Sequence, residues 1–171
     1  MKLEVYVFVV VLLACLPSVA GSVDLSHVDW QVYQDEAWGF SLEYPADWKM
    51  LVRLENFGKP SFVIKKKIEF TGPGGPMVIM DLWTNDEALE LMNWYEVNYA
   101  GLMSSELQKP ESPDRMVGGE PAIRMLNPQG QACTQSITLF QRGNLVFSLE
   151  YRVTDDFASL PVIEHMLATF K

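Results

Sequence analysis

From Leu145 to Val153 the chain alternates without a break, with Leu145, Phe147, Leu149, Tyr151 and Val153 set against Val146, Ser148, Glu150 and Arg152. Successive side chains of a strand point to opposite faces, so this period of two predicts a β-strand. Gln131 to Gln141 has the same alternating character, and Gly143-Asn144 sits between the two runs. A two-residue loop containing glycine tolerates the positive backbone angles of a tight hairpin, which predicts an antiparallel pair here.

Earlier segments extend the same theme. Phe40, Leu42 and Tyr44 alternate with Ser41 and Glu43, and Pro45-Ala46-Asp47 turns the chain into a second strand over Trp48 to Leu54. Ser61 to Phe70 alternates again, predicting Phe62, Ile64, Ile68 and Phe70 on one face and Lys65, Lys67 and Glu69 on the other. The mostly apolar Met77 to Trp83 follows after Thr71-Gly72-Pro73-Gly74-Gly75-Pro76. That glycine-rich connection has no following lysine and carries two prolines, which lack backbone donors, so it reads as a hairpin loop and not a phosphate loop.

Two segments have helical spacing. Thr84-Asn85-Asp86-Glu87 has the pattern of a capping box, followed by Ala88, Leu91, Met92, Tyr95, Tyr99 and Leu102 as a stripe facing the sheet, with Glu87, Glu90 and Asn93 on the far side. The last helix, opened by Asp155 and Asp156, must begin near Ser159 because Pro161 is tolerated only in a first turn. Its buried stripe is Ile163, Met166, Leu167 and Phe170, which leaves His165 facing water. Lys109-Pro110-Glu111-Ser112-Pro113-Asp114 is a polar connecting loop. Together these elements predict an α+β domain, an antiparallel β-sheet flanked by helices.

The N-terminus speaks to address. Lys2, the apolar run Val5 to Leu16, Pro17 and the small residues of Ser18-Val19-Ala20 have the layout of a secretory signal occupying residues 1–20. Cleavage after Ala20 starts the mature chain at Gly21; alternatively Leu12-Leu13-Ala14-Cys15 resembles a bacterial lipobox, with lipid on Cys15 tethering the domain to a membrane. Either route predicts an extracytoplasmic protein, secreted or periplasmic in the first case and lipid-anchored in the second. About 150 residues then remain, enough for a single domain with its own core, read as a lead-in over 21–38 and a domain over 39–171. The net charge of −9 opposes binding to nucleic acid and to anionic membrane surfaces, leaving Cys15 as the one membrane link. Cys133 has no partner for an internal disulfide once the signal is removed and reads as a small buried hydrophobe in a strand.

Three functional classes follow from the residues. Without a catalytic constellation or a cofactor motif, the first is a non-catalytic binding or assembly module whose partner is another extracytoplasmic protein. Trp30, Tyr33 and Trp38, outside the clearest strands, are the aromatics available for its partner surface. The second is a calcium or manganese protein using surface carboxylates, for which Asp35-Glu36, Asp155-Asp156 and Asp86-Glu87 are the paired acids; none has the spacing of a recognised loop. The third is a hydrolase, which needs a base beside a nucleophile; His27 and His165 are the only histidines, and no G-x-S-x-G elbow is present.

Gly39 to Lys49 (GFSLEYPADWK), Val117 to Met125 (VGGEPAIRM), Gln141-Arg142-Gly143-Asn144 and Phe157 to Lys171, ending LATFK, resemble PsbP-like domains, and do so in order over nearly all of the exported chain. That family includes an extrinsic subunit of the photosystem II oxygen-evolving complex and many small exported bacterial proteins. The resemblance implies an α/β/α sandwich and a binding or assembly role without catalysis. The N-terminus departs from the chloroplast pattern, having no Ser- and Arg-rich transit sequence.

Overall fold

The computed structural model describes residues 24–59, 62–102, 108, 111–126, 134–152 and 160–171. Cys15, Ala20, Gly21, Cys133, Asp155 and Asp156 lie outside the described residues. The fold is α+β and dominated by antiparallel sheet, with two short helices. Nine strands are described: β1 Trp30–Asp35, β2 Phe40–Pro45, β3 Lys49–Lys59, β4 Phe62–Thr71, β5 Met77–Thr84, β6 Arg115–Val117, β7 Glu120–Leu126, β8 Thr134–Arg142 and β9 Leu145–Arg152. The helices are α1, Leu91–Trp94, continued by a π-helical turn over Tyr95–Tyr99, and α2, Leu160–Ala168.

β3 to β9 form one seven-stranded antiparallel sheet in the order β3-β4-β5-β9-β8-β7-β6, while β1 and β2 pair as a separate hairpin. Within the segment read as the lead-in, β1 is laid against β2 in register from Trp30 opposite Pro45 to Asp35 opposite Phe40. The expected β8–β9 hairpin is present, with Gly143 in the positive-φ region at +59°.

The sheet buries both faces, which is why β9 has Val146, Phe147, Ser148 and Leu149 buried in succession. One face carries Ile68, Phe70, Val78, Met80, Leu82, Phe140, Phe147, Leu149 and Tyr151 against β2 and the stripe Ile163, Met166, Leu167 and Phe170 of α2. The other holds Trp83, Ile123, Ile137, Leu139 and Val146 against Leu91, Trp94, Tyr95 and Tyr99. Each fully buried aromatic side chain contributes on the order of 2–3 kcal/mol, so the Phe40, Phe140, Phe147 and Phe170 cluster is a principal source of stability. Glu164 sets the pose of α2 from the side, with Oε1 at 2.8 Å from Arg124 and Oε2 at 3.3 Å from Arg115.

Two local expectations are corrected. Ile64 does not share a face with Ile68 and Phe70: the pairing of β4 with β5 shifts between Ile64 and Lys66, so Ile64 joins the α1 side and Lys66, Ile68 and Phe70 the α2 side. A bulge adds one residue and reverses parity, which strict alternation in the sequence conceals. Nor does Thr84 open a helix. It is the last residue of β5, and its hydroxyl oxygen accepts from Val63 N–H at 3.2 Å. Asn85 instead closes a loop on Leu89, accepting from its N–H at 3.0 Å and donating to its carbonyl at 2.7 Å. Ala88 takes a left-handed φ of +51°, incompatible with a continuous helix, and α1 starts only at Leu91. Of the expected stripe, Leu91, Tyr95 and Tyr99 are buried, Ala88 and Leu102 are exposed, and Trp94 and Asn98 take inward positions.

Candidate functional site

The outer side of the β1–β2 hairpin meets α2 in a cluster that no sequence motif announces. Glu43 lies on the solvent side of β2, opposite Val32 of β1. His165 comes from α2, and its Nε2 lies 2.8 Å from Glu43 Oε2, where an Nε2–H donates to the carboxylate. Trp30 stacks on the imidazole, with ring centroids 3.8 Å apart and planes 25° from parallel. The expectation that His165 faces water is therefore corrected, since only 28% of its side chain is accessible. A helical wheel places a residue relative to its own helix; it cannot register the hairpin that docks alongside.

This corner is locked by the backbone as well. Glu43 N–H donates to the Thr169 hydroxyl at 3.1 Å, and Ser41 exchanges hydrogen bonds of 3.1 and 3.0 Å with Lys171. The Thr169 hydroxyl in turn donates to the His165 and Met166 carbonyls, at 3.0 and 3.2 Å. It is committed to the backbone and is not presented to the imidazole as a nucleophile. Chemically, the cluster is a carboxylate-oriented imidazole under an indole, bordered by Val32, which is 62% exposed. A shallow cleft of about 500 Å³ adjoins the hairpin, lined by His27, Val28, Asp29, Ala46 and Asp47. Exposed His27 pairs with Asp24 at 3.5 Å.

If the Trp30–His165 stack stabilises the docking of α2, a double-mutant cycle of Trp30→Ala and His165→Ala should give a coupling energy of about 1 kcal/mol by chemical denaturation. Additive single effects would show instead that each ring packs independently.

The inner side of the hairpin holds a second group. Asp35, Tyr33 and Lys66 meet between β1 and β4: the Lys66 ammonium donates to Asp35 Oδ2, the Tyr33 hydroxyl donates to the same oxygen at 2.8 Å, and Trp38 N–H donates to Oδ1 at 3.3 Å. Burial pushes the Asp35 carboxyl up, but the hydrogen bonds from Lys66 and Tyr33 outweigh it and leave the pKa below the ordinary value. Burial and the neighbouring carboxylate raise that of Tyr33.

These neighbours bear on the candidates. Asp35 is occupied by an ammonium, and Glu36 beside it is exposed. Asp86 and Glu87 are exposed, Asp86 receiving the Thr84 hydroxyl at 3.4 Å. Among the described residues, no three histidine, cysteine or acidic side chains come together in a metal-binding group. Trp30, Tyr33 and Trp38 are half-buried and pack against the core, not displayed as free rings. Lys66 was the residue sequence reasoning passed over. Its signal was parity, a lysine in step with Ile68 and Phe70 on an apolar face, where a charge requires a partner.

A further polar row lies on the opposite sheet face. Lys67 Nζ is 3.0 Å from Asp81 Oδ1, and Trp83 donates to the Ser148 hydroxyl at 3.1 Å. Burial raises the Asp81 pKa, an effect that Lys67 opposes only in part. A cleft of about 430 Å³, lined in part by Glu90, Leu91, Met92 and Pro121, opens near the start of α1.

No protein-family model matches the chain, and no curated protein matches it. Among the described residues, no helix is long and apolar enough to cross a membrane.

Proposed function

We propose that this chain is an exported, non-catalytic binding or assembly module of the PsbP-like kind, with its sheet layered between α1 on one face and the hairpin and α2 on the other as an α/β/α sandwich. The observation that supports it best is convergence. The four segments carrying the resemblance are scattered over the chain, yet they meet at one corner. Phe40 stacks on Phe170 at 5.5 Å, Ser41 pairs with Lys171, and Arg142 donates to the Gly118 carbonyl at 3.3 Å while lying over the Phe170 ring. Segments that share a packing corner belong to one structural unit, and that supports the reading. A partner surface of Trp30 and Val32 beside the His165–Glu43 pair suits the role, because a half-buried indole ringed by polar groups offers apolar area together with orientation.

Expression of the full-length chain tests address and role together. The exported product is expected to begin at Gly21 by intact mass, with Cys15→Ser leaving the mass unchanged; a diacylated mass starting at Cys15 would establish the lipoprotein route. With a photo-reactive phenylalanine analogue in place of Val32, the exported protein should give a discrete adduct with another extracytoplasmic protein that is lost with Trp30→Ala. Retention in the cytoplasm, or export without any adduct from that position, would refute the proposal.

A further inference from the structure

We propose that two copies of this chain join edge to edge through β3, antiparallel, with Val52 on the two-fold axis. Within the described sheet β3 is an edge strand, bonded to β4 on one side alone, so its other row of backbone groups is a template for a further strand. Its side chains break the usual rule for such an edge. Lys49 to Leu54 are all exposed, and Met50, Leu51, Val52 and Leu54 are apolar, with Leu51 47% and Leu54 80% accessible. The pairing with β4 puts Met50, Val52 and Leu54 on the same face as Phe70, Ile68 and Lys66, beyond the part of that face covered by the hairpin.

The occupant is identified by charge and symmetry. An antiparallel pairing of β3 with itself brings together residues whose numbers have a constant sum, and the register centred on Val52 sets Met50 opposite Leu54, Leu51 opposite Arg53 and Lys49 opposite Glu55. The two-fold axis repeats each pair. One face of the junction is then a seam of Met50, Val52 and Leu54 from both copies, and the other ends in two Lys49–Glu55 pairs. The neighbouring register centred on Arg53 would set two arginines against each other, which selects against it. Charges on an edge normally deter pairing, but here Lys49 finds an acid, and Arg53 is already engaged by Glu69 at 3.5 Å. The register of β3 with β4 is regular from Lys49 to Leu54 and shifts between Leu54 and Phe57, so the window uses the regular half of the strand and ends on Glu55, the first residue of the bulge, where the strand bends away. A seven-residue junction is small, which sets the expected association in the micromolar range.

Sedimentation equilibrium of the exported product of the full-length chain, from about 1 to 100 μM, should show a reversible monomer–dimer equilibrium. Lys49→Glu and Glu55→Lys should each weaken it about tenfold, since like charges then face each other at both ends. The double variant Lys49→Glu/Glu55→Lys should restore it, because the pairs are re-formed with signs exchanged. Lys49 is exposed and Glu55 half-buried, and circular dichroism melting verifies that each variant is folded; restoration in the double variant is independent of that control. A monomer at every concentration overturns the proposal, whether the edge is then bare or covered by another stretch of the same chain. A dimer indifferent to all three substitutions overturns it equally.

Discussion

Gly118→Ala is expected to destabilise the domain by about 3 kcal/mol, lowering the melting temperature by roughly 10 °C, while Gly119→Ala costs about half as much or less. Both glycines form the two-residue turn between β6 and β7, and both lie in the left-handed region, at φ +58° and +87°. Alanine at either position incurs the backbone strain of that region, on the order of 1–2 kcal/mol. Only at Gly118 is there also no room. A Cβ there would lie 2.7 Å from Arg142 Nη2, 3.0 Å from Phe170 Cδ1 and 3.1 Å from the Phe170 carbonyl oxygen, whereas at Gly119 nothing lies within 4 Å. The arginine is tethered by its bond to the Gly118 carbonyl, and Phe170 is wedged against Phe40, Phe140 and Phe147. The Phe170 backbone oxygen cannot rotate away, so the C-terminal segment must shift. Equal melting temperatures for the two variants would show that the corner yields and that only φ strain matters.

The second large effect belongs to the buried pair. Lys66→Met is expected to cost about 3–5 kcal/mol, because it leaves the Asp35 carboxylate, 3% exposed, without its counter-charge. Asp35→Leu should be comparably damaging through the stranded ammonium. The double variant Asp35→Leu/Lys66→Met, which replaces both charges by apolar groups of similar bulk, is expected to return to within about 1 kcal/mol of the parent or to exceed it. The acid limb separates the parent from the double variant. The pKa of Asp35 in the folded state lies below its unfolded value, so the pair's contribution is complete above the ordinary aspartate range near pH 4 and is lost as pH falls through the lowered folded value. Thermal melts from about pH 5 to pH 2 should therefore show a loss in the parent that the double variant lacks in part. A double variant no more stable than either single one would mean that the pair fixes the docking of the hairpin in a way apolar packing cannot replace.

Much of the sheet was legible because its signals are local. Alternation, apolar runs and turn chemistry located β2, β4, β5, β8 and β9, and Gly143 marked a turn that takes positive φ. The stripe Ile163, Met166, Leu167 and Phe170 was legible for the same reason, since helical spacing alone defines a face. Signals that depend on a neighbour failed. The bulge after Ile64, the use of Thr84 to finish a strand, the recruitment of Lys66 by Asp35 and the docking of His165 on Glu43 each require knowing which segment lies alongside.

The sequence alone therefore determined the kinds of element, the order of the main strands and most of their turns, because propensity, periodicity and composition act within a few residues. The tertiary structure alone decided the strand order, the parity switch in β4, the ion pair under the hairpin, the imidazole stacked beneath Trp30 and the exposure of the β3 edge. The ion pair joins residues 31 positions apart, the imidazole meets a carboxylate 122 positions away, and the β3 edge is a surface left over when packing is complete; no local pattern encodes any of them.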